Sequence, residues 1–116
     1  LHIILKEYKI MELSNVTDAN FETEVANSTK PVLLDAWATW CQPCLALSPI
    51  LVELADDLKD KIDIKKINAD ENPITVGNLG IRGLPTMVLY KDGKILGTKV
   101  GAASKKNISD WIETIL

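Results

Sequence analysis

The sequence predicts an α/β protein with a central mixed sheet and helices on both of its faces. Apolar runs of strand length alternate along the chain with segments whose apolar residues recur at helical spacing. Residues 32–37 are apolar on both faces apart from one position, as in a central strand that is covered on both sides. Asp92-Gly93 separates two apolar-rich segments near the C-terminus, which strongly indicates a hairpin.

The first half of the chain contributes two strands and two helices to the predicted order β-α-β-α-β-α-β-β-α. After the first strand, Thr17 is expected to cap a short helix that places Phe21 and Val25 on one face. The central strand 32–37 comes next. The long helix after it contains Pro49, which should kink it, and has apolar residues at helical spacing: Leu47, Ile50, Leu51, Leu54 and Leu58.

The second half begins with a strand at residues 62–67. Asn72 is expected to cap a short helix that starts at Pro73 and ends near Gly80. Residues 86–90 and 95–100 are the two strands of the hairpin. The last helix is expected to start at the cap Ser104 and to carry one apolar stripe: Ile108, Trp111, Ile112 and Ile115.

Length and composition indicate one globular domain. The chain has 116 residues, of which 47% are hydrophobic and 25% charged, with a net charge of −3. We expect an N-terminal arm or extended start at residues 1–10 and the domain at residues 11–116. The charge argues against nucleic acid as a partner. No apolar run approaches the roughly 18–20 residues of a membrane span, and the first ten residues lack a secretory pattern, so we expect a cytoplasmic protein.

Two cysteines, Cys41 and Cys44, indicate redox chemistry. A disulfide that closes so short a loop would stabilise the fold little, so chemistry is the better interpretation of the pair. Cys41 falls where the central strand ends and a helix begins, and unpaired N–H groups with the positive end of the helix dipole favour a thiolate there. Cys44, one turn on, could resolve a mixed disulfide formed at Cys41, and Pro43 stiffens the turn between them.

Other uses of the cysteines are disfavoured by what the sequence lacks. A zinc site needs about four ligands, but there is no third cysteine and the single histidine, His2, lies in the arm. The same lack of a positioned histidine disfavours a cysteine–histidine hydrolase. A reduced pair within a non-catalytic binding domain stays open on the Cys-x-x-Cys spacing alone.

Asp35 is the one charged residue within the central strand. A buried carboxyl there should have a raised pKa, and it could accept the proton of Cys44 when that thiol attacks a mixed disulfide. The alternative is a structural carboxylate paired with Lys66, whose strand should be a neighbour. The two interpretations are compatible, because a nearby lysine would also tune the pKa of Asp35. Pro85 precedes a strand, and composition alone does not predict a cis peptide bond at it.

Several ordered motifs resemble those of the thioredoxin family. The active-site segment is matched by Leu34-Asp35-Ala36-Trp37-Ala38-Thr39-Trp40-Cys41-Gln42-Pro43-Cys44, the cis-proline loop by Ile81-Arg82-Gly83-Leu84-Pro85-Thr86, and the bordering glycine by Lys99-Val100-Gly101-Ala102. Pro49 matches the proline of the active-site helix. The likeness runs from about Met11 to Leu116 and implies the thioredoxin fold, a mixed five-stranded sheet flanked by four helices.

The resemblance also implies how the site is arranged. Pro85 would be cis and would border a shallow groove for an extended substrate segment, and Trp37 would support the active-site turn from below. Cys41 would be the nucleophile, Cys44 the resolving thiol, Asp35 the proton-transfer group and Lys66 its tuning partner. The expected substrate-binding residues are Trp40, Gln42, Pro43, Gly83, Leu84, Pro85, Gly101 and Ala102.

Three positions depart from the family pattern. Gln42 stands where the family usually has glycine, and the dipeptide between the cysteines is a major control on reduction potential. Leu45 replaces a common lysine and Ala36 a common phenylalanine. The loss of the lysine at position 45 removes a cation near the thiolates and makes the rim more apolar. The departures bear on recognition by a reductase more than on the chemistry.

The expected activity is reduction of disulfides in other proteins by a monomeric, thioredoxin-type electron carrier. By resemblance, no cofactor is bound, and electrons come from NADPH through a flavoprotein thioredoxin reductase. The expected partners are that reductase and disulfide-containing client proteins. A thiol oxidase or isomerase of the same fold is the alternative. A non-catalytic partner-binding subunit would instead keep its role after both cysteines are replaced by serine.

Overall fold

A five-stranded mixed sheet forms the centre of the protein in a computed structural model that describes residues 13–116. The predicted arm, residues 1–10, lies outside the described residues. The strands are Ser14–Val16 (β1), Val32–Trp37 (β2), Asp63–Asn68 (β3), Thr86–Lys91 (β4) and Lys94–Val100 (β5). In this part of the chain there are four helices, Glu22–Ala26 (α1, of the π type), Gln42–Asp57 (α2), Pro73–Asn78 (α3) and Lys105–Ile115 (α4). The predicted element order is confirmed.

The strand order β1-β3-β2-β4-β5 places β2 at the centre of the sheet. β3 pairs in parallel with β1 and with β2, whereas β4 is antiparallel to both β2 and β5. In this register Asp35 lies between Lys66 on β3 and Met87 on β4. Within residues 13–116, no helix has the length and apolar character that crossing a membrane requires.

Alternate residues of β2 enter two hydrophobic clusters, one on each face of the sheet. Leu33 packs in the cluster that contains α2 and α4 side chains such as Leu51 and Ile108. Leu34 packs in the other cluster, with Val25 of α1. Because strand side chains alternate between faces, Asp35 points to the same side as Leu33, beneath α2. The strand thereby delivers a carboxyl to the face that carries the cysteine-bearing helix.

The predicted hairpin and the predicted cap at Ser104 are confirmed by local geometry, whereas the N-cap of α1 is Phe21 and not the predicted Thr17. Asp92 and Gly93 both have positive φ, 52° and 76°, as a two-residue type I′ turn requires. Ser104 Oγ accepts the N–H three residues on at 3.1 Å, at the start of α4. Thr17 and Asn20 form reciprocal side-chain bonds to each other's N–H, although the regular helix starts only at Glu22.

The predicted N-cap of α3 at Asn72, followed by Pro73, is confirmed in position, but its side chain does not supply the capping bond. The carboxylate of Asp18 accepts the N–H groups of Ile74 (3.3 Å) and Thr75 (2.8 Å) instead. An ionised acceptor makes stronger hydrogen bonds than an amide. The charged group that the fold brings from the loop after β1 therefore takes the place of the local asparagine.

Candidate active site

Cys41 and Cys44 lie at the junction of β2 and α2 and are joined by a disulfide bond, with their Cα atoms 5.2 Å apart. Cys41 is the N-cap of α2, and its Sγ accepts the backbone N–H of Cys44 at 3.3 Å. The first N–H groups of a helix are unpaired and lie at the positive end of its dipole. When the disulfide is reduced, this position favours a thiolate at Cys41.

The pair is packed into a small apolar cluster rather than projecting from the surface. Ala38, Cys41 and Cys44 form a buried cluster against which Trp37 and Leu84 pack. The support of the turn by Trp37 is thereby confirmed. Only 4% of Cys41 and 2% of Cys44 is exposed. A substrate disulfide must therefore approach along the neighbouring surface to reach either sulfur.

Asp35 lies behind the pair, at a cavity of about 200 Å³. The side chain is only 4% exposed, and its Oδ1 has no hydrogen-bond partner among the described residues. Burial raises the pKa of Asp35 to about 7, against the opposing influence of the Lys66 charge. The carboxyl therefore titrates near neutral pH. The cavity lining contains Leu13, Asp35, Trp37, Cys44, Leu45, Ser48 and Lys66.

Lys66 acts on Asp35 through its charge and not through a contact. The two residues are direct neighbours in the β2–β3 register. Among the salt bridges of residues 13–116 there is none between them. The ammonium lies over the ring of Trp37, 5.3 Å from its centroid. Asp35 and Lys66 therefore do not form the contact ion pair that a paired structural carboxylate would need, because the Lys66 ammonium lies against the indole face.

The same cavity holds a second buried polar atom without a partner. Trp37 Nε1 makes no hydrogen bond within the described part of the chain. Asp35 and Trp37 both line the cavity, and a buried donor and a buried acceptor without partners beside a cavity of this volume suit ordered water. Among residues 13–116, no group of histidine, cysteine, aspartate and glutamate side chains is arranged to hold a metal ion.

Pro85 lies on the other side of the cysteines, and the Leu84–Pro85 bond is cis, as the resemblance implies. The Pro85 carbonyl accepts the N–H of Gly101 at 2.8 Å. Gly101 has a φ of 91°, which glycine adopts without strain. Thr86 Oγ1 donates to the Gly83 carbonyl at 2.6 Å. These bonds hold the proline loop and the glycine turn next to one another.

A shallow groove of about 240 Å³ borders the pair on this exposed side. Trp40 is 65% exposed, and its Nε1 donates to Asp70 Oδ2 at 2.8 Å. Three of the predicted substrate-binding residues, Trp40, Gly83 and Leu84, line the groove. Pro85 and Gly101 lie beside the groove and share a backbone hydrogen bond. The remaining predicted substrate-binding residues are exposed but do not line the groove: Gln42, Pro43 and Ala102.

Sequence reasoning missed Asp70, the partner of Trp40. A signal was available, because β2 and β3 are parallel neighbours and their carboxyl ends meet at one edge of the sheet. Trp40 and Asp70 each follow one of these strands closely. Ala69 and Val76, which line the groove, and Ser48, which lines the Asp35 cavity, were also missed. They are small or apolar residues with no chemical signature in the sequence.

Comparison with known proteins places this site in a family. The family model described as Thioredoxin matches residues 12–114. A thioredoxin of Acidithiobacillus ferridurans is 48% identical over 101 residues, which cover 87% of this chain and 94% of that protein. Thioredoxins of Rickettsia typhi (46% over 100 residues, 86% and 95% covered) and Rhodospirillum rubrum (45% over 101 residues, 87% and 97% covered) are similarly alike. The chain belongs to the thioredoxin family, and its Cys41–Cys44 pair makes it a protein-disulfide oxidoreductase that reduces disulfides by thiol–disulfide exchange.

Proposed function

We propose that Cys41 is the nucleophile, Cys44 the resolving thiol and Asp35 the proton acceptor of this exchange, with Lys66 tuning Asp35. The observation that carries the proposal is the cavity that Asp35 shares with Cys44. A carboxyl whose pKa lies near 7 can take a proton from a thiol and release it again within the physiological pH range.

In the first step, the Cys41 thiolate attacks one sulfur of a client disulfide. A bond forms between Cys41 and that sulfur, the client disulfide breaks, and the other client sulfur leaves as a thiolate. The helix start beneath Cys41 supports the attacking thiolate electrostatically.

In the second step, Cys44 gives its proton to Asp35 and attacks the Cys41 sulfur. The Cys41–Cys44 bond forms, the mixed disulfide breaks, and the second client sulfur leaves. Two electrons have then passed from the protein to the client. Ordered water in the cavity that Cys44 and Asp35 share would carry the proton from the thiol to the carboxylate.

Client binding is assigned to the exposed side of the pair. An extended client segment would lie in the groove against Trp40 and Leu84, with backbone contacts at Gly83, Pro85 and Gly101. The exposure of Trp40 and the fixed positions of the two loops support this assignment. Three exposed residues would form the outer rim of the client site: Gln42, Pro43 and Ala102.

The proposal extends to the partners. No cofactor is bound, and NADPH would supply electrons through a flavoprotein thioredoxin reductase that acts on the Cys41–Cys44 disulfide. The protein would act as a monomer in the cytoplasm. Its thioredoxin domain would comprise residues 11–116, and residues 1–10 would form an additional arm. The family assignment supports the reductase and the disulfide-containing clients.

The test is reduction of insulin disulfides with NADPH and a bacterial thioredoxin reductase. We expect turnover with the wild-type protein and none with a Cys41→Ser, Cys44→Ser double variant. Absence of turnover with the wild-type protein would reject the proposed electron source. A reduction potential well above about −200 mV would instead favour a thiol oxidase or isomerase. Gln42, exposed between the cysteines, is the observation that makes this second candidate worth measuring.

A further inference from the structure

Asp18, in the loop after β1, binds the segment at the start of α3. Its Oδ1 accepts the N–H of Thr75 at 2.8 Å and its Oδ2 that of Ile74 at 3.3 Å. Its own N–H donates to Asn72 Oδ1 at 2.9 Å. Three hydrogen bonds thus join this loop to a segment more than fifty residues later in the chain.

Further hydrogen bonds continue from Asn72 to the groove. Asn72 Nδ2 donates to the Asn68 carbonyl at 3.0 Å. Asn68 Oδ1 accepts the N–H groups of Asp70 (3.0 Å) and Glu71 (3.2 Å). Asp70 Oδ2 in turn accepts the indole N–H of Trp40 at 2.8 Å. A continuous path of hydrogen bonds therefore connects the backbone N–H of Asp18 with the exposed tryptophan beside Cys41, while the Asp18 carboxylate holds the other end of the same segment at Ile74 and Thr75.

The segment held in this way, residues 68–76, forms one wall of the groove. It carries Ala69 and Val76 in the lining and holds Trp40 through Asp70. Asn72 and Thr75 are only 6% and 5% exposed, so water can replace their hydrogen bonds only poorly. The opposite wall, at Gly83 and Leu84, has a hydrogen bond of its own, from Thr86 Oγ1 to the Gly83 carbonyl.

The charge state of Asp18 suits a permanent link. Burial acts to raise the pKa of Asp18, but the hydrogen bonds from Thr75 and Ile74 outweigh it and hold the pKa below its usual range. The carboxylate is therefore ionised throughout the neutral range, where its bonds to backbone N–H groups are strongest.

We propose that Asp18 is a positioning residue for client binding, because it holds the wall at residues 68–76 that presents Trp40, Ala69 and Val76 to the client. This inference rests on the proposed role of the groove. If the wall can adopt other positions, only the fraction of molecules in the competent position binds, and the apparent affinity falls by that fraction. The chemistry at the cysteines should be unaffected.

The experiment compares Asp18→Ala and Asp18→Asn with the control Asp60→Ala. The control removes the same charge from an exposed residue between α2 and β3. Asn retains one acceptor and is a good capping residue, so Asp18→Asn should restore most of the wild-type behaviour. KM and kcat are measured with insulin, and the rate of reaction with the small disulfide DTNB reports chemistry that does not need the groove. The Trp40 indole N–H signal in the NMR spectrum reports the wall itself.

For Asp18→Ala we expect KM for insulin to rise about three- to tenfold, with kcat and the DTNB rate unchanged and the Trp40 indole signal shifted. A KM equal to that of Asp60→Ala, an unmoved Trp40 signal, or a parallel loss of kcat and DTNB rate would overturn the proposal. If Asp18→Ala does not fold, Asn68→Ala removes the acceptor of the Asp70 and Glu71 N–H groups, which holds the same wall nearer the groove, and must raise KM in the same way. Failure of the proposed function would be distinct, because the wild-type protein itself would then not reduce insulin.

Discussion

The two sides of the cysteine pair are built in opposite ways. On the buried side, Asp35 and Trp37 line a cavity, and Asp35 Oδ1 and Trp37 Nε1 have no hydrogen-bond partners among the described residues. On the exposed side, polar groups are tied down: Trp40 to Asp70, Gly101 to Pro85 and Thr86 to Gly83. An unpaired buried polar group destabilises a fold, whereas a paired one fixes the position of its neighbours.

The difference separates chemistry from recognition. A buried carboxyl without partners has a pKa that suits proton transfer, and the protein gives up stability to keep it. A groove with fixed walls offers a client a surface that needs little ordering on binding. Substitutions on the buried side should therefore change pH dependence and stability, and those on the exposed side should change KM for protein clients.

The largest expected effect comes from the cysteines themselves, which serve both sides. Cys41→Ser should reduce turnover of protein and small disulfides alike to background, because the thiolate that attacks the client has been removed. Cys44→Ser should still attack but not resolve, so a mixed disulfide with the client should accumulate on non-reducing gels. Accumulation in the Cys41→Ser variant instead would exchange the two proposed roles.

Asp35→Asn should stabilise the protein, and more so at high pH. The folded-state pKa of Asp35 is raised from 3.8 to about 7, so between these values the folded protein binds more protons than the unfolded chain. Stability therefore falls as pH rises through this window, and the neutral variant escapes that loss. Urea unfolding should give a gain of about 3–4 kcal/mol at pH 8 and close to none at pH 4. A gain independent of pH would show that ionisation is not its cause.

The same substitution should slow the resolving step. In the wild-type protein, the second step should accelerate as pH rises through about 7, when Asp35 becomes able to accept the Cys44 proton. Asp35→Asn should lose that inflection and be about a hundredfold slower at pH 7, the lower end of the usual contribution of a general base. Stopped-flow decay of a preformed mixed disulfide measures this step alone. An unchanged inflection would remove Asp35 from the mechanism.

Trp40→Ala should weaken client binding without changing the chemistry. We expect KM for insulin to rise about three- to tenfold, because exposed tryptophans in binding surfaces commonly contribute strongly, while the DTNB rate stays constant. Ile95→Ala removes an exposed apolar side chain of β5 outside the groove lining and is the control. A slower DTNB reaction in Trp40→Ala would contradict the separation of the two sides.

Lys66→Met should give the smallest effect. Removing the ammonium takes away the charge that lowers the pKa of Asp35, so the inflection of the resolving step should move to higher pH. Lys61→Met, which removes an exposed lysine next to Ile62, should leave the inflection in place. A shift to lower pH in Lys66→Met would reject the tuning role.

Much of the fold was predictable because its signals are local. The boundaries of β2 match the prediction at both ends, and the other predicted strands differ by about one residue at their ends. Asp92-Gly93 specified its turn, because both positions need positive φ. Asn72 shows how far local reasoning reaches, since it occupies the predicted N-cap position, but the capping bonds go to Asp18, which no short-range pattern connects to α3.

The sequence by itself determined the order of the elements, the position of Cys41 at a helix start and the presence of one carboxyl in an apolar strand. These depend on spacing along the chain, which periodicity and capping rules describe. Tertiary structure alone decided that Asp35 and Cys44 share a cavity, that Lys66 lies over Trp37, and that Asp18 and Asp70 hold the groove wall. The physical reason is that burial, pKa and long-range hydrogen bonds depend on which distant segments pack together.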